Sequence, residues 1–439
     1  MLIINDLFTR KKPIGDRFYV SILKLFLLLS VIVTFLFLNL LAAETNPAKT
    51  ITLIEAIQRT FNNDPELKTF HYQLEAQEGR RLQASLSPRP EVNLIIEDAL
   101  GSGDLNGFDN SQATLSVGWI LDKNIKNRRV QVASQGKKLI ENEKIIQQLD
   151  SATKTARYFL VTLSYQEKAM IASRAIKLAE STVKEVNKRI KVGKTPLAEL
   201  YRAEAQLAKR RLVLEDINHE LESSIRQLAS QWGSTDPNFN SVSGELINHP
   251  NVMSFNGLKN QLKNNPNIAK YLSVERINEA QLKLAKEERN PQWKFTTGLR
   301  SYQRTGDVGI VAGISIPFGG SNRNQGRIAE VRAKLSQNQA EADVLRLHIE
   351  TSLFIVYQQL EHSIHLSDSL KIDIIPKLEK ALTETHKAYE LGKYSYLEWL
   401  AVQNELLDAQ LALLDASLST HLRKLELERL TGAQITSPF

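Results

Sequence analysis

Cysteine is absent from this 439-residue sequence, and aromatic residues make up only 7% of it. The absence of cysteine excludes disulfide bonds, thiolate metal sites and a lipid-modified N-terminal cysteine, and it suits a chain exported to an oxidising compartment. No motif of a serine hydrolase, a zinc protease or a phosphate-binding loop is present, and the eight histidines are scattered. The sequence therefore predicts no catalytic residues, no cofactor and no resident metal. One weaker alternative is a metal site on the helix face shared by His362, His365 and Asp368.

Excess charge is also small. Lys and Arg number 56 against 49 Asp and Glu, a net charge of +7, and residues 1–43 account for three of these charges. The remaining +4 is dispersed along the chain, which argues against nucleic acid as a partner.

Long apolar runs are confined to the N-terminus. Five basic residues lie between Arg10 and Lys24, an apolar run covers 25–41, and the polar sequence begins after Ala43. This order predicts a signal peptide over 1–43, although an uncleaved anchor stays open because Leu41 is unfavourable near the cleavage point. No other segment has the ~18 apolar residues of a membrane helix, so a mature chain that spans a membrane would do so as a β-barrel.

The chain carries the same set of landmarks twice. Two landmarks recur after 201 residues, Pro65 as Pro266 and Pro90 as Pro291; three recur after 199, Gly193 as Gly392, Glu199 as Glu398 and Gly233 as Gly432. A repeat of this length predicts a duplicated architecture. We expect a signal peptide followed by two repeats, 44–240 and 241–439, that together build one elongated body.

Each repeat contains a predicted β-hairpin, over 91–120 and 292–317. Apolar side chains alternate with polar residues or glycine, as in Val92, Leu94 and Ile96 against Glu91, Asn93 and Glu97. Alternation with an apolar outer face and a polar inner face is typical of a membrane barrel with a wet lumen. Four strands cannot close a wide barrel, so several chains should share one.

The hairpins precede very long helices, predicted over 124–192 and 323–391, each returning in a helical hairpin, 124–232 and 323–430. Ordinary helices average about 11–12 residues, whereas each of these would span about 100 Å. A stripe of mostly apolar residues from Leu353 to Ala388 recurs with a spacing of 3.5, the period of a coiled coil.

Glycine ends both long helices. Gly193 and Gly392 suit the left-handed position after a helix end. We expect Thr195 to cap the next helix with Pro196 as its first residue, and Ser395 with Glu398 to form a capping box.

Two readings of the charged residues near these features remain open. Glu199 and Glu398 each follow a turn glycine by six positions, so they either stabilise a helix N-terminus or form a ring of carboxylates at a pore. The pattern favours stabilisation for Glu199 and leaves both roles for Glu398. Basic residues after the β-hairpins suit either lipid phosphates or a solvated surface; they are Lys123, Lys126, Arg128, Arg129, Arg323 and Arg327.

The repeats, paired hairpins and long helices, with the motifs at 192–195 (VGKT) and 389–410 (YELGKYSYLEWLAVQNELLDAQ), resemble the TolC family of outer-membrane efflux channels. The segment 88–133 is similar to the cobalt–zinc–cadmium efflux branch. The resemblance implies a mainly α fold with a small β part. Three chains would form a 12-stranded outer-membrane barrel joined to a periplasmic coiled-coil barrel of helices, in contact with outer-membrane lipid.

The resemblance also implies partners and a cargo. The homotrimer would bind a periplasmic adaptor (membrane fusion) protein fed by an inner-membrane pump of the resistance-nodulation-division type, and it would export heavy-metal cations. Alternatives are a multidrug or type I secretion duct of the same fold, or a periplasmic coiled-coil scaffold or adaptor.

The site residues follow from the same resemblance. The hairpin tips would bind the adaptor through Gly193, Lys194, Thr195, Gly392, Lys393, Tyr394 and Ser395. Glu398 and Tyr389 would line the pore constriction. Two positions depart from the family pattern: Ala401 stands where a second acidic residue is expected, and Tyr394 where a latching arginine is expected.

Overall fold

The computed structural model of the protein describes residues 50–248, 251–319 and 323–433; the predicted signal peptide lies outside them. The elements of the first repeat are β1 (Thr50–Ile51), α1 (Leu53–Asn63), α2 (Pro65–Ala84), β2 (Glu91–Glu97), β3 (Gln112–Leu121), α3 (Lys123–Lys191) and α4 (Leu197–Ser230). Those of the second are β4 (Ser241–Val242), α5 (Phe255–Gln261), α6 (Pro266–Glu287), β5 (Trp293–Tyr302), β6 (Val308–Ser315), α7 (Gln325–Asp368), α8 (Ile375–Glu390) and α9 (Tyr396–Thr431). No helix within these ranges is both long and apolar enough to cross a membrane.

Duplicated cap residues start equivalent helices in the two repeats. The carboxylate of Asp64 accepts a hydrogen bond from the N–H of Glu66 at 2.8 Å, and Pro65 opens α2. In the second repeat the side-chain oxygen of Asn265 accepts from the N–H of Asn267 at 2.7 Å, and Pro266 opens α6. Both starts use a short polar cap followed by a proline whose φ already suits a helix.

The two β-hairpins form one antiparallel sheet in the order β2-β3-β5-β6. Its polar face is covered along the inner strand β3 and its apolar face is open: Thr114 and Ser116 are 3% and 5% exposed, whereas Leu94 and Ile310 are 65% and 82% exposed. This inversion was expected from the alternation. A soluble sheet buries its apolar face, so the arrangement fits a lipid-facing outer surface.

Ion pairs bridge the polar face across β3. Nζ of Lys294 on β5 lies 2.5 Å from a carboxylate oxygen of Glu91 on β2, and Nη2 of Arg300 lies 2.9 Å from Glu97. Lys294 can reach Glu91 across β3 because the residue between them is Gly118, which has no side chain in the way. The four charges cancel, so the polar face of the sheet has little net charge at these levels.

The two long helices differ in their hydrogen bonding, although the second extends over 325–390, close to the predicted 323–391. α3 is continuous over 69 residues. Its counterpart consists of α7 and α8 with a π-helical segment, Ser369–Ile374, between them. Pro376 explains the difference, because it has no N–H to donate to a carbonyl one turn earlier and its ring crowds that turn.

Long helices lie side by side in a single row. Near the sheet the order is α2, α3, α6 and α7; toward the helical turns it is α4, α3, α9, and then α7 with α8. The main core lies where α1, α3, α4 and α9 meet, around Phe159, Leu160 and Leu425. The strand order and the helix order agree, so the described chain has one edge formed by β2, α2 and α4 and another formed by β6, α7 and α8.

Candidate functional site at the helical tips

Both helical hairpins turn in the same way. At the first tip, Gly193 has φ 72°, its N–H donates to the carbonyl of Ile190 at 2.9 Å, and the N–H of Lys194 donates to Arg189 at 3.0 Å. At the second tip, Gly392 has φ 75° and the two bonds have equivalent partners. These bonds satisfy the last carbonyls of each helix, and only glycine adopts such a φ at low cost.

The predicted capping box of α9 is present. The N–H of Ser395 donates to Glu398 Oε2 at 2.6 Å, the Ser395 hydroxyl donates to the same oxygen at 2.9 Å, and the N–H of Glu398 donates to the Ser395 hydroxyl at 3.4 Å. The backbone and side-chain bonds from Ser395 hold the pKa of Glu398 below its usual value. The side chain is exposed, so it presents a fixed negative charge at the second tip.

The predicted cap of α4 is wrong. Pro196 occupies the N-cap position, α4 begins at Leu197, and no side chain caps it. Thr195 is engaged elsewhere, since its hydroxyl oxygen accepts a hydrogen bond from Nε of Arg189 at 3.2 Å. Glu199 lies in the first turn of α4, where a carboxylate suits the helix dipole.

Arg189 joins the two tips, a role that the sequence analysis missed. Its side chain leaves α3 and is only 9% exposed. Nη1 donates to the backbone carbonyl of Glu390 in α8 at 2.9 Å, and the guanidinium lies 4.5 Å from the ring centre of Tyr389. The clue in the sequence is its place beside the apolar residues Val186 and Ile190 in a segment otherwise rich in lysine.

Tyr389 lies inside the second tip and not on its surface. It is 2% exposed and its ring stacks on Trp399 with centroids 5.1 Å apart, in a cluster with Val186, Ala203 and Tyr396. Burial raises the pKa of Tyr389, so the phenol stays protonated. The prediction that Tyr389 lines a constriction is therefore corrected: within the chain its ring supports the packing of the two hairpins.

The remaining predicted tip residues are accessible. Thr195 is half-buried, and the exposed residues are Gly193, Lys194, Gly392, Lys393, Tyr394 and Ser395. The two turns therefore present polar and basic groups to solvent, on helical hairpins joined by Arg189.

The helix face of His362 does not form a metal centre. No group of three or more His, Asp or Glu side chains in the described ranges is arranged to hold a metal ion.

Residues 257–433 match the family model described as Outer membrane efflux protein. The chain is 23% identical over 421 residues to the cobalt-zinc-cadmium resistance protein CzcC of Cupriavidus metallidurans, an alignment that covers 93% of this chain and 99% of the relative. These matches extend the resemblance from the tip motifs to most of the chain.

Solved channel structures share the fold. The structure of CusC superimposes with a TM-score of 0.66 at 16% identity and covers 89% of this chain and 96% of its own. The outer-membrane protein VceC of Vibrio cholerae superimposes with a TM-score of 0.62 at 18% identity and covers 88% and 97%. The chain therefore has the fold of these outer-membrane channels, and its residues 257–433 match the outer membrane efflux family. This fold is one of channel proteins.

Proposed function

We propose that three copies of this chain form an efflux duct that carries divalent heavy-metal cations across the periplasm and the outer membrane. The observation that carries the proposal is the sheet, whose apolar face is open while ion pairs between strands span its polar face. An apolar outer surface and a polar inner surface suit a barrel in lipid that encloses water.

The edges of the chain support a ring of copies. Within the described residues β2 and β6 each pair on one side only. The opposite edges also expose apolar side chains along their helices: on α7, Val344, Leu347, Phe354 and Ile355; on α4, Leu197, Tyr201, Leu212 and Val213. When the first edge of one chain binds the second edge of the next chain, the interface is heterologous. Such contacts form a ring if the rotation between neighbouring chains closes. Three chains with four strands each would give a closed barrel of 12 strands.

The trimer is tested by the mass of the protein in detergent, measured by light scattering with the detergent contribution subtracted. We expect the mass of three mature chains. A stable monomer would contradict a shared barrel, since β2 and β6 would then remain as open edges in lipid, where unsatisfied backbone groups are very costly.

The tips would bind a periplasmic adaptor protein that connects the duct to an inner-membrane pump of the resistance-nodulation-division type. Their geometry supports this assignment, because two hydrogen-bonded turns present exposed polar groups at the ends of the helical hairpins. Glu398 would face the narrowest part of the duct. Its lowered pKa and its exposure support a permanent negative charge there, and a ring of three such charges would favour cations.

Divalent heavy-metal cargo is supported by the similarity of residues 88–133 to the cobalt–zinc–cadmium branch and by the relative CzcC. The absence of cysteine agrees with it, because a duct that bound metal tightly would release it slowly.

Deletion of the gene should sensitise cells to zinc, cadmium, cobalt, copper or silver more than to dyes and detergents. A plasmid copy should restore resistance. If the deletion sensitises only to hydrophobic drugs, the metal cargo is wrong and a multidrug duct of the same fold is supported.

A further inference from the structure

The two tips carry opposite net charge although they arise from one duplicated sequence. The window 184–204 around Gly193 contains six basic and three acidic residues, a net charge of +3. The equivalent window 199 residues later, 383–403, contains two basic and three acidic residues, a net charge of −1. Lys191 of the first tip corresponds to Glu390 of the second.

Lysines form one exposed stripe at the first tip. Lys184, Lys188 and Lys191 fall within about 60° of each other around α3, at 100° per residue, and Lys194 follows the turn; all four side chains are exposed. None of the four forms an ion pair with a carboxylate of the described residues. We refer to these four residues as the lysine stripe.

Acidic side chains do not neutralise the lysine stripe. Glu199 points into the tip, where its Oε2 is buried without a hydrogen-bond partner among the described residues, and Glu185 is half-buried. Glu204 is exposed but lies two turns into α4. At the second tip, by contrast, Lys387 pairs with Glu384 at 2.7 Å.

The helix dipole does not account for the lysine stripe. Cations favour the last turn of a helix, which would explain Lys188 and Lys191. Lys184 lies one turn too early and Lys194 lies beyond the helix end. The second long helix has Lys387 as the single basic residue of its last turn and ends at Glu390, so the same architecture forms without a cluster of lysines.

We propose that the lysine stripe is the binding surface for an acidic face of the partner protein that docks at the tips. The inference deepens the proposed function and rests on it for the identity of that partner as the adaptor. Around a trimer, basic first tips would alternate with weakly acidic second tips. Complementary charge accelerates encounter and opposes like-charged contacts, so the alternation lets the partner dock in only one of two rotational registers.

A direct test uses the purified full-length channel in detergent, with poly-L-glutamate of about 50 residues as the probe. Wild type should bind it, and binding should weaken as salt rises. The triple variant K188E/K191E/K194E should bind at least about tenfold more weakly. A matched triple variant changes three exposed lysines outside the lysine stripe and should bind within about twofold of wild type; its substitutions are K138E, K209E and K283E.

Two results would overturn the inference. One is equal loss of poly-L-glutamate binding in both triple variants, which would mean that only the total charge matters. The other is binding of vesicles of phosphatidylglycerol, but not of poly-L-glutamate, through the lysine stripe, which would make the surface a lipid site.

The rotational register of the docked partner is tested by metal resistance in cells that carry a charge exchange, K191E combined with E390K. This exchange leaves the composition and net charge of the chain unchanged. We expect the exchanged protein to reach the outer membrane as a trimer and to lose at least about tenfold of the metal resistance that wild type restores. Full resistance with the exchange would refute the register. If wild type itself restores no resistance, the metal cargo fails, and the poly-L-glutamate binding still decides the inference.

Discussion

Replacing Arg189 with alanine should detach the two tips from each other without unfolding the chain. Arg189 donates to the Glu390 carbonyl and to Thr195, at 2.9 and 3.2 Å, and its guanidinium lies over Tyr389. Hydrogen bonds from a charged donor contribute about 1.5–3 kcal/mol each, and a desolvated cation–π contact about 0.5–2 kcal/mol. Glu390 is exposed, so water can rehydrate its carbonyl after the change. The expected net loss is about 2–4 kcal/mol of docking free energy.

Hydrogen–deuterium exchange measures this loss of docking free energy at the amides of the tips themselves. A change of about 2–4 kcal/mol lowers protection of amides by about 30- to 1,000-fold. We expect the effect in residues 385–398, while amides around Phe159 and Leu160 in the main core keep their protection, because the tip cluster and the main core are separate.

A matched control is the neighbouring Lys188→Ala, which removes an exposed cation that contacts no carboxylate of the described residues. Its exchange should be that of wild type. If Arg189→Ala also leaves the exchange of 385–398 unchanged, Arg189 does not join the tips, and the packing of Tyr389 on Trp399 alone would have to hold them together.

Three further predictions concern the proposed pore, tips and lumen. Glu398→Gln should lower cation selectivity in a planar bilayer while keeping the capping box, since Gln also serves at that position; Glu398→Ala should lower both selectivity and tip protection. If neither variant changes the cation selectivity, the role of Glu398 is limited to capping the helix. Gly392→Val should abolish export but not trimer formation, because valine is strained at φ 75°; Gly326→Val, in open space on α7, should export normally. Arg300→Ala should raise cation selectivity by leaving Glu97 without its cation, and unchanged selectivity would place that pair outside the lumen.

Patterns of short range predicted most of the elements. Alternation located both β-hairpins and the polarity of their two faces, because a strand puts successive side chains on opposite sides. Gly193, Gly392 and the Ser395–Glu398 box marked the helical turns, since these features depend on the backbone and on residues at most a few positions away.

Local patterns failed where two features competed for one residue. Thr195 has a hydroxyl that could cap α4, but this hydroxyl accepts a hydrogen bond from Arg189. The 3.5-residue spacing from Leu353 to Ala388 continues through Pro376, so periodicity predicted one helix although a π-helical segment interrupts it. Hydrophobic spacing reports which side of a helix is buried, and it does not report how each turn is hydrogen-bonded.

By itself the sequence determined the duplication, the inverted polarity of the strands and the glycine turns, because these follow from residue order and backbone sterics. Only the tertiary structure decided that Tyr389 lies inside the tip, that Arg189 bridges the two hairpins, and that the lysine stripe stays exposed while Glu199 turns inward. These outcomes depend on how two hairpins about 200 residues apart in the chain pack together. Side-chain direction at such an interface is set by contacts between the hairpins, which neither hairpin's own sequence contains.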